Sequence, residues 1–174
     1  MKIGVISDTH DNLKPMKAAL EVLLNHKVEL IVHCGDWVAP FALEFLSKNS
    51  GDIPVKGVFG NNEGDIKSIM ARNAKLAKPI EFAERKVLEF EAGGRSIACV
   101  HGEDAPTLDA LIRSKKYHAV FTGHTHRPII QDIDGVCVLN PGTTCLAVDA
   151  EEEIEATVAI YNTDMNTGEI VRVR

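Results

Sequence analysis

Four things are missing from this 174-residue chain, and each absence narrows what it can do. No apolar run approaches the roughly 20 residues that a membrane-spanning helix needs, so no membrane partner is expected. No basic excess exists: 19 Lys and Arg stand against 25 Asp and Glu, for a net charge of -6. That balance argues against a general nucleic-acid-binding or membrane-binding surface. No Cys-x-x-Cys pair occurs among Cys34, Cys99, Cys137 and Cys145, which argues against both a thiolate zinc site and a disulfide framework. Three of these cysteines sit in or at the ends of apolar runs, and all four read as reduced, mostly buried thiols of a cytoplasmic protein. Repeats, linkers and low-complexity tracts are absent as well, so one domain over residues 1–174 is expected, long enough for a sizeable core. The opening residues turn polar too soon for a signal peptide and read as a strand. The segment Gly60-Asn61-Asn62-Glu63-Gly64 lacks the Lys and Ser/Thr of a nucleotide P-loop.

What is present alternates. Apolar, β-branched stretches at 2–7, 30–32 and 55–59 read as buried strands, and helical spacing marks 13–24, 41–46 and 65–73. Asn12 is placed to cap the first helix, with Pro15 in its first turn. That alternation argues for parallel strands joined by crossovers. The second half is β-rich. Strands at 86–91 and 95–100 flank Gly93-Gly94, and strands at 129–133 and 136–139 flank Asp134-Gly135, both hairpin signals. A short helix at 107–112, a strand at 119–122 and a pair at 157–161 and 170–173 complete the set. The simplest layered solution is a four-layer α-β-β-α sandwich of two mixed sheets with helices on the outer faces. The acidic run at 151–153 with Glu155 reads as a solvated turn or an edge guard.

Five polar clusters carry the chemistry: Asp8-Thr9-His10, Gly35-Asp36, Gly60-Asn61-Asn62, His101-Gly102 and Gly123-His124-Thr125-His126. Four directly follow apolar strand runs and the fifth comes one residue later. Singly, each has an ordinary reading: a helix cap, a turn, a surface histidine. Together they place carboxylate, amide oxygen and imidazole at the carboxyl ends of strands, where open α/β sheets gather ligands. These donors suit two divalent first-row cations better than a structural zinc.

The ordered set Asp-x-His, Gly-Asp, Gly-Asn-Asn, His-Gly and Gly-His-Thr-His resembles the calcineurin-like metallophosphoesterase superfamily. The His33-Cys34-Gly35-Asp36 run, the Asn140-Pro141-Gly142-Thr143 segment and the small size make it similar to the compact YfcE-like phosphodiesterase branch. The resemblance implies a single metallophosphoesterase domain in which Asp8, His10 and His126 bind one metal and Asn61, His101 and His124 bind the other. It implies that Asp36 and a hydroxide bridge the two ions, about 3.5–4 Å apart. Two divalent cations against two carboxylates and one hydroxide leave a single net positive charge, suited to a phosphodiester anion. Asp36, Asn61 and His101 are then the catalytic core, and the hydroxide attacks phosphorus in line with the leaving oxygen. Manganese is the expected assay metal, with nickel, zinc, iron and cobalt compatible with the same ligands.

One position departs from many superfamily members, which carry His directly after the Gly-Asn ligand as a leaving-group acid. This chain has Asn62 there. Asn62, Arg127 and Asn12 are the candidate substrate contacts, with helix-cap and loop roles as the alternatives. His33 reads equally as a neighbour of the site or as a packed strand-end residue. Gly142-Thr143 is expected to offer backbone N–H groups to the site. The leading function is a two-metal phosphodiesterase hydrolysing a small or nucleotide-like diester. A phosphomonoesterase is the near alternative, and a non-catalytic scaffold resembling a retromer subunit is the alternative of another class. Nucleic acid stays open as a substrate, and a small homo-oligomer is compatible with the sequence.

Overall fold

The computed structural model describes residues 1–145 and 155–173. Its strands are β1 (Lys2–Ile6), β2 (Leu30–His33), β3 (Val55–Gly57), β4 (Glu81–Phe82), β5 (Val87–Ala92), β6 (Arg95–Val100), β7 (Ala119–Phe121), β8 (Ile129–Ile133), β9 (Val136–Asn140), β10 (Thr157–Asn162) and β11 (Thr167–Arg172). The helices are α1 (Leu13–Asn25), α2 (Pro40–Asn49), α3 (Ile66–Asn73) and α4 (Ala105–Arg113).

Two mixed sheets result. One runs β11-β10-β1-β2-β3-β4, the other β5-β6-β7-β9-β8. In the first, β1 to β4 are parallel, β10 pairs antiparallel with β1, and β11 closes the edge antiparallel to β10. In the second, β6, β7 and β9 are parallel at the centre, with antiparallel β5 and β8 outside them.

Three apolar slabs define four layers. Ile6, Ile31, Val55 and Val158 meet Met16, Leu20 and Leu23 of α1 and Leu43 and Leu46 of α2 on the outer face of the first sheet. Between the sheets lie Ile3, Val5, Val32, Ile97, Cys99, Phe121, Leu139 and Tyr161. On the far face, Ala98, Val120 and Val138 pack against Leu108, Leu111 and Ile112 of α4. The alternation along β6, with Ile97 and Cys99 inward and Ala98 outward, is the period of two that sorts a strand between two cores. Both predicted tight hairpins form. Gly93 and Gly94 take φ of 54° and 75°, and Asp134 and Gly135 take 54° and 88°, so each turn has two left-handed central residues.

Some expectations shift. The third strand ends at Gly57 rather than 59, because Val58 and Phe59 already lead into the Gly60 loop. The two-residue β4 is an addition, paired along β3. Asn12 occupies the position before α1, but its side chain makes no capping bond there. The run 151–153 lies outside the described residues, while Glu155 pairs with Arg172 of β11 at 2.8 Å. Among the described residues, no helix is long and apolar enough to cross a membrane, and all four cysteines are free and buried.

Candidate metal centre

The five clusters leave the carboxyl ends of β1, β2, β3, β6 and β7, at one end of both sheets. The backbone ties the loops together before any side chain acts. Asp8 N–H donates to the Gly35 carbonyl at 3.0 Å, His10 N–H to the Asp36 carbonyl at 3.1 Å, and Gly123 N–H to the His101 carbonyl at 2.7 Å. Asp8, His10, Asp36, His124 and His126 all have positive φ, between 44° and 68°. Clustered left-handed non-glycine residues mark a site held by its surroundings. Glycines let the loops close. A Cβ on Gly60 would lie 2.1 Å from Asp36 Oδ1, and one on Gly123 would lie 2.7 Å from Asp8 Oδ2.

All seven candidate ligands meet in one closed circuit. Asp8 Oδ1 lies 3.2 Å from His126 Nε2, which lies 3.3 Å from His10 Nε2. His10 Nε2 is 3.6 Å from Asp36 Oδ2, while Asp36 Oδ1 is 3.3 Å from His101 Nε2. His101 Nε2 and His124 Nδ1 converge on Asn61 Oδ1, at 3.0 and 2.9 Å. His124 N–H closes the ring on Asp8 Oδ2 at 3.1 Å. One potential ligand atom from each of Asp8, His10, Asp36 and His126 falls within 4.8 Å of the others. Asp36 therefore stands between two groups, one oxygen toward each.

The donor chemistry fits cations. Asp8 is fully buried, and its Oδ1 receives no well-aligned hydrogen bond, with the His126 imidazole facing it at 3.2 Å, a costly state for a carboxylate unless that side carries positive charge. His101 Nδ1 lies 2.8 Å from the Cys34 carbonyl. A carbonyl only accepts, so Nδ1 carries the hydrogen, and Nε2, bare whenever the ring is neutral, points toward two oxygens that also only accept, Asn61 Oδ1 and Asp36 Oδ1. Either a proton or a metal must sit between them. The ionisation tendencies agree. Burial pushes His101 down, but the Asp36 hydrogen bond, the charges of Asp36 and Asp8, and the Cys34 carbonyl together hold it above its ordinary value. His126 is raised, chiefly by its contact with Asp8. Burial pushes Asp36 up, yet His101, the Asn62 N–H and the charges of His101 and His10 hold it below the usual carboxylate range.

The remaining candidates fall around this ring. Asn62 donates its backbone N–H to Asp36 Oδ1 at 2.9 Å and sets its side-chain amide nitrogen 3.0 Å from His10 Nδ1. Arg127 is exposed one residue past His126, and Asn12 is half-buried at the head of α1. The Gly142 N–H is spent on Asn140 Oδ1 at 2.9 Å, so it is not turned to the site as expected. The Thr143 hydroxyl instead donates to the Asp8 carbonyl at 2.7 Å.

Sequence reasoning missed Glu63. Its Oε1 accepts from Trp37 N–H at 3.2 Å and Gly60 N–H at 2.9 Å, and its Oε2 from Val38 N–H at 2.8 Å. It clamps the Asp36 loop to the Asn61 loop. Asn140, at the head of the Asn140-Pro141-Gly142-Thr143 segment, donates its amide to the Gly123 carbonyl at 2.6 Å and to Thr125 Oγ1 at 3.1 Å, fixing the loop of His124 and His126. A lone acid in a polar loop carries no sequence signal for such a role.

Known proteins share this framework. A phosphodiesterase of Methanocaldococcus jannaschii is 33% identical over 151 residues, covering 83% of this chain and 85% of that protein. The solved structure of an archaeal phosphodiesterase superposes with a TM-score of 0.86 at 27% identity, covering 99% of both chains. The E. coli phosphoesterase YfcE shares the fold, with a TM-score of 0.65 at 17% identity over the whole of both chains. The sequence pattern of the calcineurin-like phosphoesterase superfamily domain matches residues 1–166. With that match spanning all five clusters, this chain belongs to the calcineurin-like phosphoesterase superfamily.

Proposed function

We propose that the protein is a metal-dependent phosphodiesterase with a dinuclear centre. Asp8, His10 and His126 would hold one divalent ion, Asn61, His101 and His124 the other, and Asp36 would serve both. The observation that carries this reading is the split of Asp36, with Oδ2 toward His10 and Oδ1 toward His101. When bound, such ions supply Lewis acidity toward the phosphoryl oxygens and a water acidic enough to be a nucleophile near neutral pH.

The chain's own residues do the rest. The His101 ring, fixed by the Cys34 carbonyl, keeps its bare nitrogen aimed into the site. Glu63 and Asn140 hold three of the ligand loops in register. Arg127, exposed beside His126, is placed to meet a phosphate oxygen, and Asn12 lies on the loop of Asp8 and His10. A diester fits better than a monoester, because Arg127 is the one cation close to the clusters in sequence and a monoester dianion calls for more. Manganese is the assay metal of choice.

The M. jannaschii relative named a phosphodiesterase supports the same substrate class. A scaffold role does not require seven ligand-type side chains to converge, and here they do. The test is hydrolysis of bis(p-nitrophenyl) phosphate by metal-stripped protein with and without added manganese, with Asp36→Asn alongside. Manganese-dependent turnover lost in the variant is expected. No turnover by folded parent protein with any of several metals would contradict the proposal.

A further inference from the structure

Position 62 does a job here that a leaving-group acid would not. His10 presents Nε2 to the site, 3.3 Å from His126 Nε2 and 3.6 Å from Asp36 Oδ2. Its other nitrogen, Nδ1, lies 3.0 Å from Nδ2 of the Asn62 amide, whose oxygen sits on the same carbon. An imidazole that ligates through Nε2 must carry its hydrogen on Nδ1, and that N–H needs an acceptor to fix the tautomer and the ring plane. An amide carries an acceptor and a donor on one carbon, and a half-turn brings the oxygen to the same place. Asn62 is itself held, since its backbone N–H donates to Asp36 Oδ1 at 2.9 Å.

The two halves of the site are thus oriented differently. His101 is aimed by a main-chain carbonyl, Cys34, at 2.8 Å, which no substitution removes. His10 is aimed by an exposed side chain. We infer that Asn62 is a positioning residue whose amide oxygen accepts the His10 Nδ1–H and readies Nε2 for one of the two metals. This rests on the proposed dinuclear function and deepens it. The position that could have protonated a leaving group is occupied in holding a ligand, so the preferred substrates are diesters whose leaving groups depart without a proton.

The experiment compares parent, Asn62→Leu and Asn62→Asp. Each is titrated calorimetrically with manganese alone, and the zinc-loaded forms are read by nitrogen NMR of the His10 imidazole. The Leu variant keeps the bulk and loses the acceptor. One of its two metal affinities should fall about 10–100-fold while the other stays within a few-fold, as is typical when a ligand loses its outer partner. The Asp variant accepts the same N–H and should restore both affinity and the Nδ1–H tautomer. Parent-like binding and tautomer in Asn62→Leu, an equal fall in both affinities, or failure of Asp to restore would each overturn the assignment. A parent protein that takes up no metal would contradict the proposed function as well, and is told apart because no variant is needed to see it.

Discussion

His33 and Trp37 stack face to face, with ring centroids 3.6 Å apart and planes 18° from parallel. The stack lies under the loops of the site. His33 Nδ1 accepts the Gly35 N–H at 3.1 Å, which leaves the hydrogen on Nε2, 3.1 Å from Thr9 Oγ1. Thr9 separates Asp8 from His10, and Gly35 precedes Asp36. One neutral imidazole therefore spans two ligand loops. Burial, first, and the charge of His101 hold it well below the ordinary histidine range.

His33→Phe keeps the stack and strands the Gly35 N–H. It should cost about 1–3 kcal/mol of folding stability, the range for a buried donor left unmet. Denaturant unfolding with an unchanged slope checks this. A neutral effect would mean that the ring contributes packing alone.

Glu63→Ala removes an acceptor from three backbone N–H groups at once. Both stability and metal affinity should fall, stability by about 1–3 kcal/mol since the loops are part-exposed. Calorimetric manganese titration beside a denaturant melt separates the two effects. Wild-type affinity in the variant would show that the loops keep their geometry without the clamp.

Leaving-group dependence should be steep. With Asn62 and no histidine at that position, rates over a panel of aryl diesters should fall strongly as the leaving phenol becomes less acidic. Asn62→His should flatten that trend, since general acids contribute typically about 10²–10⁴-fold. An unchanged slope would contradict the absence of acid catalysis in the parent.

The metal candidates were legible because each motif couples an uncommon residue pair to a strand end, and β1, β2 and β6 formed where apolar runs stood. Glu63 was not legible, since its role lies in main-chain donors from residues 37, 38 and 60 that meet only in three dimensions. Strand β4 is two residues long and exists through its pairing with β3, so it has no periodicity to read. The placing of β10 against β1, with Ile3 opposite Tyr161, is a contact across nearly the whole chain that no local pattern encodes. Asn12 sits where a cap belongs, yet its side chain does not cap, because residue type states a preference and the adjoining ligand loop sets the geometry.

The two tyrosines, Tyr117 and Tyr161, are both pushed up from the ordinary phenol range to about 12. Burial leads in each case, reinforced for Tyr117 by its hydrogen bond to Glu89. Both shifts favour the neutral phenol in the folded state. Their contribution to stability is thus fully present below pH 10, the ordinary value, and is lost as pH rises through about 12. Ultraviolet titration of folded protein should show no tyrosinate step near pH 10, and denatured protein should show one. A step near 10 in the folded state would contradict the packing around both rings.

The most direct measurement is the metal content at saturation. Metal-stripped protein is equilibrated with manganese, freed of excess and assayed for metal per chain, with Asp36→Asn in parallel. A centre in which Asp36 faces two ligand groups predicts two ions per parent chain and fewer in the variant. One ion or none in the folded parent would contradict the dinuclear centre.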